Sequence, residues 1–428
     1  MIRKEVGVHA SWLLAGKLIQ FLLAFIVGVL VVRYLGPYRF GELSFSLSFV
    51  AILAPVSKLG LDSIVVKQLV EKPSKQSLIL GSAAMLKLIA VLFVVGTCFT
   101  TSFYMKADAT VRGMIAIILL GQFLTTFDVG DFYFQSNLAG KFLGIGTVTS
   151  SVMSACYRVF LIVTHKSLIW FAMAVVVELT VKAIVSLYFL HARGLSPAEW
   201  KFSFPIAKTL LKQGSLLLFS AVAYFIYMKI DQVMIQQFLT ERDVGLYAAA
   251  VRLSEAWYVV PGVLSVAFFP VIVKFKMDGD SDGYKRVMLQ VYGAFTWISV
   301  FVAILVTLFS GFLVETIFGD SYIAAAKVLA VHFWSGIFVG FLVFSGKWYV
   351  NEGWLNFLLL RNVAGAIVNI VLNLMWIPRY GIVGAAVATL ISYFVAGYLF
   401  DAVSSRSREC FFQKTCGILG GGLWARRL

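Results

Sequence analysis

The chain has 428 residues, of which 60% are hydrophobic and 13% charged, with a formal net charge of +15. A soluble chain carries roughly a quarter charged residues, so this composition excludes an ordinary soluble enzyme and points to a polytopic membrane protein. The positive balance does not indicate nucleic acid, because the basic residues lie between apolar runs and no nucleic-acid module is recognisable.

A hydrocarbon core about 30 Å thick takes roughly 20 apolar residues per helix. The first apolar run, Trp12 to Val32, follows Arg3 and Lys4. It is too long for a signal-peptide core and lacks a small-residue cleavage site, so it reads as an uncleaved first span. Further runs near 41–57, 78–103, 114–134, 142–164 and 168–190 make six. A more polar stretch over 193–213 follows, and six more runs lie near 214–238, 245–273, 288–314, 326–350, 354–377 and 381–403. The expectation is an all-α polytopic membrane protein with twelve transmembrane helices. It divides into an N-terminal lobe (1–195), an inter-lobe linker (196–213), a C-terminal lobe (214–403) and a basic tail (404–428).

Lys and Arg gather in alternate loops, among them Lys58, Lys67, Lys72 and Lys75, then Arg193, Lys201, Lys208 and Lys212, then Lys274, Lys276, Lys285 and Arg286. That bias predicts a cytoplasmic location for both termini. The halves also resemble each other: one offset aligns Leu35 with Leu239 and Gly41 with Gly245. With six spans in each half the copies insert in the same direction, a pattern of transporters built from parallel repeats.

Ionisable side chains inside apolar runs cost about 2.5–3.5 kcal/mol each on insertion scales, so they persist where they meet water, a partner or a substrate. Lys17 and Gln20 near one end of the first span fit either a snorkelling lysine or a cavity role. Asp128 and Asp131 share a helix face; carboxylates that close do not both ionise in a dry setting, so one can hold a proton. A structural role at the cytoplasmic mouth is the alternative. Glu178 and Lys182 have i,i+4 spacing and can pair within their helix. Arg158 has no sequence-local partner and faces either the outer interface or a cavity. Lys229 and Asp231 stand two apart on different sides of one helix, so each needs some other partner. Arg252 and Glu255, three apart, can pair. Asn369 and Asn373 share a face and read as packing between helices.

Taken together, Lys17, Arg158, Lys229 and Arg252 are candidate cations for an anionic substrate. Asp128, Asp131, Glu178, Lys182, Asp231 and Glu255 are candidates for ion coupling or charge pairing. Cys98, Cys156, Cys410 and Cys416 have no zinc-like spacing, and the four histidines are scattered, so neither a metal nor a cofactor is expected. No nucleophile elbow or phosphate-binding loop is present, so enzyme chemistry is not expected.

The stretches WLLAGKLIQFLLAFIVGVLVVRYLGPYRFGELSFSLSF, LGLDSIVVKQLV, FYFQ, KIDQVMI, VGLYAAAVRLSEAWYVVP and NIVLNLMWIPRYGIVGAAVATLIS, in this order and spacing, resemble a known family. They resemble the bacterial lipid-linked oligosaccharide flippases, the O-antigen and polysaccharide repeat-unit exporters of the multidrug/oligosaccharidyl-lipid/polysaccharide superfamily. The resemblance implies two six-helix lobes around a central cavity, working by alternating access. It implies movement of an undecaprenyl-pyrophosphate-linked oligosaccharide from the cytoplasmic to the periplasmic leaflet of the inner membrane. Membrane lipids, a polysaccharide polymerase and other glycan-assembly proteins are the implied partners. Export of a drug or of another lipid-linked precursor stays open as an alternative. A membrane polymerase or ligase is disfavoured because every predicted external loop is short.

Overall fold

A computed structural model describes residues 2–419. The chain folds into two compact units, Met1–Phe225 and Ile226–Leu428. The first holds α1 (Ile2–Lys58), α2 (Asp62–Glu71), α3 (Gln76–Ser102), α4 (Ala109–Gln122), α5 (Val129–Ser136), α6 (Gly140–Val163) and α7 (Ile169–His191). The unit boundary falls within α8 (Phe204–Phe238). The second unit continues with α9 (Glu241–Trp257), α10 (Val259–Met277), α11 (Ser281–Leu308), α12 (Ser310–Phe318), α13 (Ala325–His332), α14 (Ser335–Glu352), α15 (Leu355–Gly397) and α16 (Arg408–Ile418).

Among the described residues, ten helical stretches are long and apolar enough to cross a membrane. Two of them, Ser11–Glu71 and Leu355–Ala402, each contain a glycine that folds one stretch into two spans. Gly36 has φ 69° and ψ 170°, and Gly381 has φ 61° and ψ −145°. A residue without a Cβ takes such angles at little cost. Pro37 then opens the next segment, where its missing N–H leaves nothing unsatisfied. Counting both breaks, the described residues hold the twelve expected spans.

The corresponding break in the second unit lies between α8 and α9 and uses different chemistry. Thr240 caps α9 by accepting from Asp243 N–H at 3.3 Å, while the Asp243 carboxylate accepts from Thr240 N–H at 3.2 Å. This reciprocal box satisfies donors that a helix start otherwise leaves orphaned.

In the first unit Leu61, Val65, Ile79, Leu80, Val129 and Phe132 form a core that also takes in Ala207 and Leu210. The polar stretch before residue 214 is therefore partly helical: α8 starts at Phe204 and buries its apolar side from the outset. In the second unit the core is aromatic, with Tyr292, Phe295, Phe341, Phe344, Trp348 and Tyr349 packed together.

Part of the stretch expected as a basic tail is instead built into this core. α16 packs along α11, and Lys414 is fully buried. Its ammonium pairs with the equally buried Asp401, donates to the Gly397 carbonyl at 2.7 Å and to Ser345 Oγ at 3.2 Å, and stands over the rings of Tyr292 and Phe341. Tyr349 O–H donates to the other Asp401 oxygen at 2.5 Å. Arg361 donates to Ser345 Oγ at 2.7 Å and to the Leu342 carbonyl at 3.0 Å. Residues 420–428, with Arg426 and Arg427, lie outside the described residues.

A buried pair stripped of one member leaves an uncompensated charge, which costs about 3–5 kcal/mol. Lys414→Met is expected to destabilise the detergent-purified protein by that order, and Lys414→Met combined with Asp401→Leu by much less. Thermal or denaturant unfolding measures both. Additive costs in the double variant would show that the pair is not coupled.

Candidate functional site

The second unit buries a second carboxylate besides Asp401, and this one has no cation against it among the described residues. Asp231, on α8, is 2% exposed. Its Oδ2 accepts from Tyr247 O–H of α9 at 2.6 Å and lies 2.5 Å from Thr389 Oγ1 of α15, while Asn373 Nδ2 donates to its Oδ1 at 2.6 Å. Thr389 Oγ1 is also 2.9 Å from the Ala385 carbonyl, so its single proton serves one acceptor at a time. Asn373 Nδ2 reaches Asn369 Oδ1 at 3.1 Å, whereas Asn373 Oδ1 is shielded and has no hydrogen-bond partner. The i,i+4 spacing of Asn369 and Asn373 puts both on the face of α15 that meets α8 and α9.

This arrangement has a definite chemistry. Every group touching Asp231 is neutral, so its charge is stabilised by hydrogen bonds alone. Turning the Asn373 amide through a half-turn exchanges its donor for the orphaned oxygen. Asp231, Asn369, Asn373 and Thr389 then each present an oxygen, the donor type of hard cations, with the Tyr247 hydroxyl and the Asn369 amide nitrogen beside them. One carboxylate balances one positive charge. The cage suits a proton or a single small monovalent cation.

Two residues before Asp231, Lys229 on α8 pairs with Glu255 on α9 at 3.1 Å; their side chains are 21% and 28% exposed. Glu255 thus engages Lys229 of the neighbouring helix, where its spacing suggested the local Arg252. Arg252 itself is half-buried on α9. His332, buried on α13, shares a 2.6 Å hydrogen bond with Ser254 Oγ and meets the Tyr247 ring edge-on.

The first unit collects the remaining candidates in two groups. Lys182 on α7 contacts Asp128 at 2.8 Å and Asp131 at 3.0 Å, with Lys87 of α3 at 3.8 Å from the other Asp128 oxygen. Glu178, one turn away on α7, pairs with Arg158 of α6 at 3.8 Å and accepts from Gln20 Nε2 of α1 at 3.3 Å. The pairing of Glu178 with Lys182 expected from their spacing is not what forms. Each finds charge on other helices, because three packed helices offer better-placed partners than one turn of the same helix. Arg158, without a local partner in sequence, gains Glu178. Lys17 is exposed on α1 and joins neither group.

Sequence reasoning passed over Lys87, Tyr247, His332, Thr389, Asp401 and Lys414. Lys87 stands in an apolar run and met the criterion applied to the other lysines. Asn369 and Asn373, read as helix packing, are the partners of Asp231.

Comparison with known proteins places this geometry in context. The family described as "Polysaccharide biosynthesis protein" matches residues 6–276. The chain belongs to this family. A probable low-salt glycan biosynthesis flippase, Agl15 of Haloferax volcanii, is 26% identical over 223 residues, covering 49% of this chain. That match spans 46% of the relative's own length. An uncharacterised membrane protein of Methanocaldococcus jannaschii, MJ1068, is 21% identical over 92% of this chain and 83% of its own. Among solved structures, an inward-facing multidrug resistance MATE family transporter of the MOP superfamily superimposes with a TM-score of 0.72 at 15% identity, covering 95% of this chain and 94% of its own. The lipid II flippase MurJ, in an inward closed conformation, gives 0.70 at 13% identity, covering 96% and 92%. At these identities the likeness is one of fold, which is the MATE- and MurJ-like fold of the MOP superfamily.

Double-mutant cycles separate the observed pairs from those suggested by spacing. Lys182 with Asp128, and Arg158 with Glu178, are expected to show coupling above about 0.5 kcal/mol, and Glu178 with Lys182 less than that. Unfolding of purified single and double variants supplies the energies. Strong coupling of Glu178 to Lys182 alone would overturn the assignment.

Proposed function

We propose that this protein is an ion-coupled flippase that carries lipid-linked oligosaccharide repeat units across the cytoplasmic membrane. The carrier lipid is a polyprenyl pyrophosphate, movement is outward by alternating access, and both termini are cytoplasmic. The family's role in polysaccharide biosynthesis and the relative named as a glycan biosynthesis flippase support the substrate class. The observation that carries the coupling is the cage around Asp231, a carboxylate held only by neutral donors inside a membrane unit.

The residues take distinct parts in this reading. Lys229 and Arg252 meet the pyrophosphate, because ammonium and guanidinium groups bind its oxygens through charge-assisted hydrogen bonds. Glu255 holds Lys229 between turnovers. Lys17 and Arg158 contribute further positive charge, Arg158 by exchanging Glu178 for substrate. The glycan passes through the protein while the polyprenyl tail stays in lipid. Asp231 takes up and releases the coupling ion. Its discharge removes the charge that Tyr247, Thr389 and Asn373 converge on, and so loosens the contact of α8 with α9 and α15.

Transport of a lipid-linked oligosaccharide in reconstituted vesicles, with expression and insertion held equal, tests the reading. Asp231→Asn is expected to lower ion-driven transport at least tenfold. Adding Asn373→Asp to it, which returns one carboxylate to the cage, is expected to restore part of the rate. Lysine at position 252 should rescue only partly, since an ammonium does not reproduce a bidentate guanidinium fork. Unchanged transport in Asp231→Asn would refute the coupling role. Cells lacking the protein are expected to accumulate repeat units facing the cytoplasm, and drug export with normal glycan delivery would refute the substrate.

A further inference from the structure

Span four contains a stretch that its own sequence does not explain. Between α4 and α5 the backbone runs as a 3₁₀-helix for six residues, Phe123–Asp128. Such geometry rarely extends beyond about three or four residues, because its hydrogen bonds are poorer than those of an α-helix. Proline and glycine are absent from FLTTFD, so nothing local forbids the α form. Its surroundings hold it in the tighter one.

The hydroxyls mark the strain. Thr125 Oγ1 donates to the Gln122 carbonyl, three residues back, at 2.7 Å. Thr126 Oγ1 is shielded and has no hydrogen-bond partner. In α-helical turns of this chain threonine reaches the carbonyl four residues back, as Thr296 and Thr415 do at 2.7 and 2.8 Å. The α form would offer Thr126 the Gln122 carbonyl in the same way.

What holds the tighter form stands at the end of the stretch. Asp128 is gripped by Lys182 at 2.8 Å, and Asp131, one turn on, by the same ammonium at 3.0 Å. Asp131 also accepts from Ser186 Oγ at 3.4 Å. The second lysine is poorly served. Lys87 is fully buried, its ammonium makes no hydrogen bond, and its nearest acid is Asp128 at 3.8 Å, with the Phe132 ring 5.5 Å away. Lys58 of α1 and Asp62 of α2 are the remaining charges acting on it.

We propose that Phe123–Asp128 is a rotary hinge in span four, and that the exchange of Asp128 between Lys182 and Lys87 is the catch that sets it. A residue turns the chain by about 120° in a 3₁₀-helix and about 100° in an α-helix, and rises about 2.0 Å against 1.5 Å. Each residue converted therefore rotates α5 by about 20° relative to α4 and draws it in by about 0.5 Å. Two or three residues turn Asp128 by about 40–60°, which shifts its balance between the two lysines it already reaches, and all six by about 120° with 3 Å of shortening. Gly130 limits where this can stop. A Cβ there would stand 2.5 Å from Ser186 Oγ and 2.7 Å from Leu190 Cδ1, so in the observed state α5 is seated against α7 with no slack.

The hinge concerns how the chain moves, whatever it carries, so its test uses no substrate. Two variants keep the cluster neutral and differ in which lysine remains. Lys182→Gln with Asp131→Asn leaves Lys87 and Asp128; Lys87→Met with Asp131→Asn leaves Lys182 and Asp128. Spin labels at positions 120 and 138, both on exposed leucines flanking the hinge, report the separation across it in a background with the four native cysteines replaced. The variant that keeps Lys182 is expected to hold the distance seen in the unsubstituted chain. The variant that keeps Lys87 is expected to show a population displaced by about 1–1.5 Å for two or three converted residues and by up to about 3 Å for all six. The same single distance in both would overturn the proposal. If only the variant keeping Lys87 can be purified, its displacement from the unsubstituted chain decides alone.

Discussion

A charge inside a membrane unit needs a partner in that unit, and this requirement organises more of the structure than any apolar contact does. Apolar side chains gain little by choosing one another over lipid, so helix contacts there rest on packing and on polar pairs. In this chain the polar pairs fall where several helices meet. Lys182, Asp128, Asp131 and Lys87 join α3, α5 and α7 with the 3₁₀ stretch; Asp231 joins α8, α9 and α15; Asp401 and Lys414 join α16 to the turn that follows α15. Removing Lys414 leaves the fully buried Asp401 without its cation, whereas the acids around Lys182 keep about a fifth of their side-chain surface exposed.

That requirement also explains what the sequence made legible. Span length and count depend on the thickness of hydrocarbon, a property of each segment by itself, and ten continuous stretches with two glycine breaks give the expected twelve. Charged positions inside spans were equally visible. Their partners were not, because spacing along one helix speaks only for that helix. Glu178 and Lys182 have ideal i,i+4 spacing and nevertheless pair with α6 and with the end of span four. Asn369 and Asn373 looked like packing residues until α8 placed a carboxylate against them. The last helix escaped notice for another reason. α16 is short and polar, and it is held by a lysine whose aliphatic stem and charged head are both satisfied inside the core.

The three groups differ in how they balance charge, and the difference assigns them different work. The cluster of the first unit has two acids and two bases, so it is neutral within itself and has no electrostatic demand for an ion. What it can do is redistribute contacts, since one ammonium serves two carboxylates while the other serves less than one. The group around Asp401 has Lys414 and Arg361 against one acid, and both cations are also bound by carbonyl and hydroxyl oxygens. Such a group is a fixture.

Asp231 is the exception. Its negative charge meets no cation, only the hydroxyls of Tyr247 and Thr389 and the amide of Asn373. Hydrogen bonds from neutral donors stabilise a carboxylate without neutralising it, so an affinity for positive charge is left over. A lysine in place of Asn373 would use up that affinity and make the site as inert as the pair at Asp401. The amide instead keeps an oxygen in reserve, buried and unbonded, beside a carboxyl group that no cation contacts. Of the acids in the three groups, Asp231 is therefore the one whose oxygens are met by neutral donors alone.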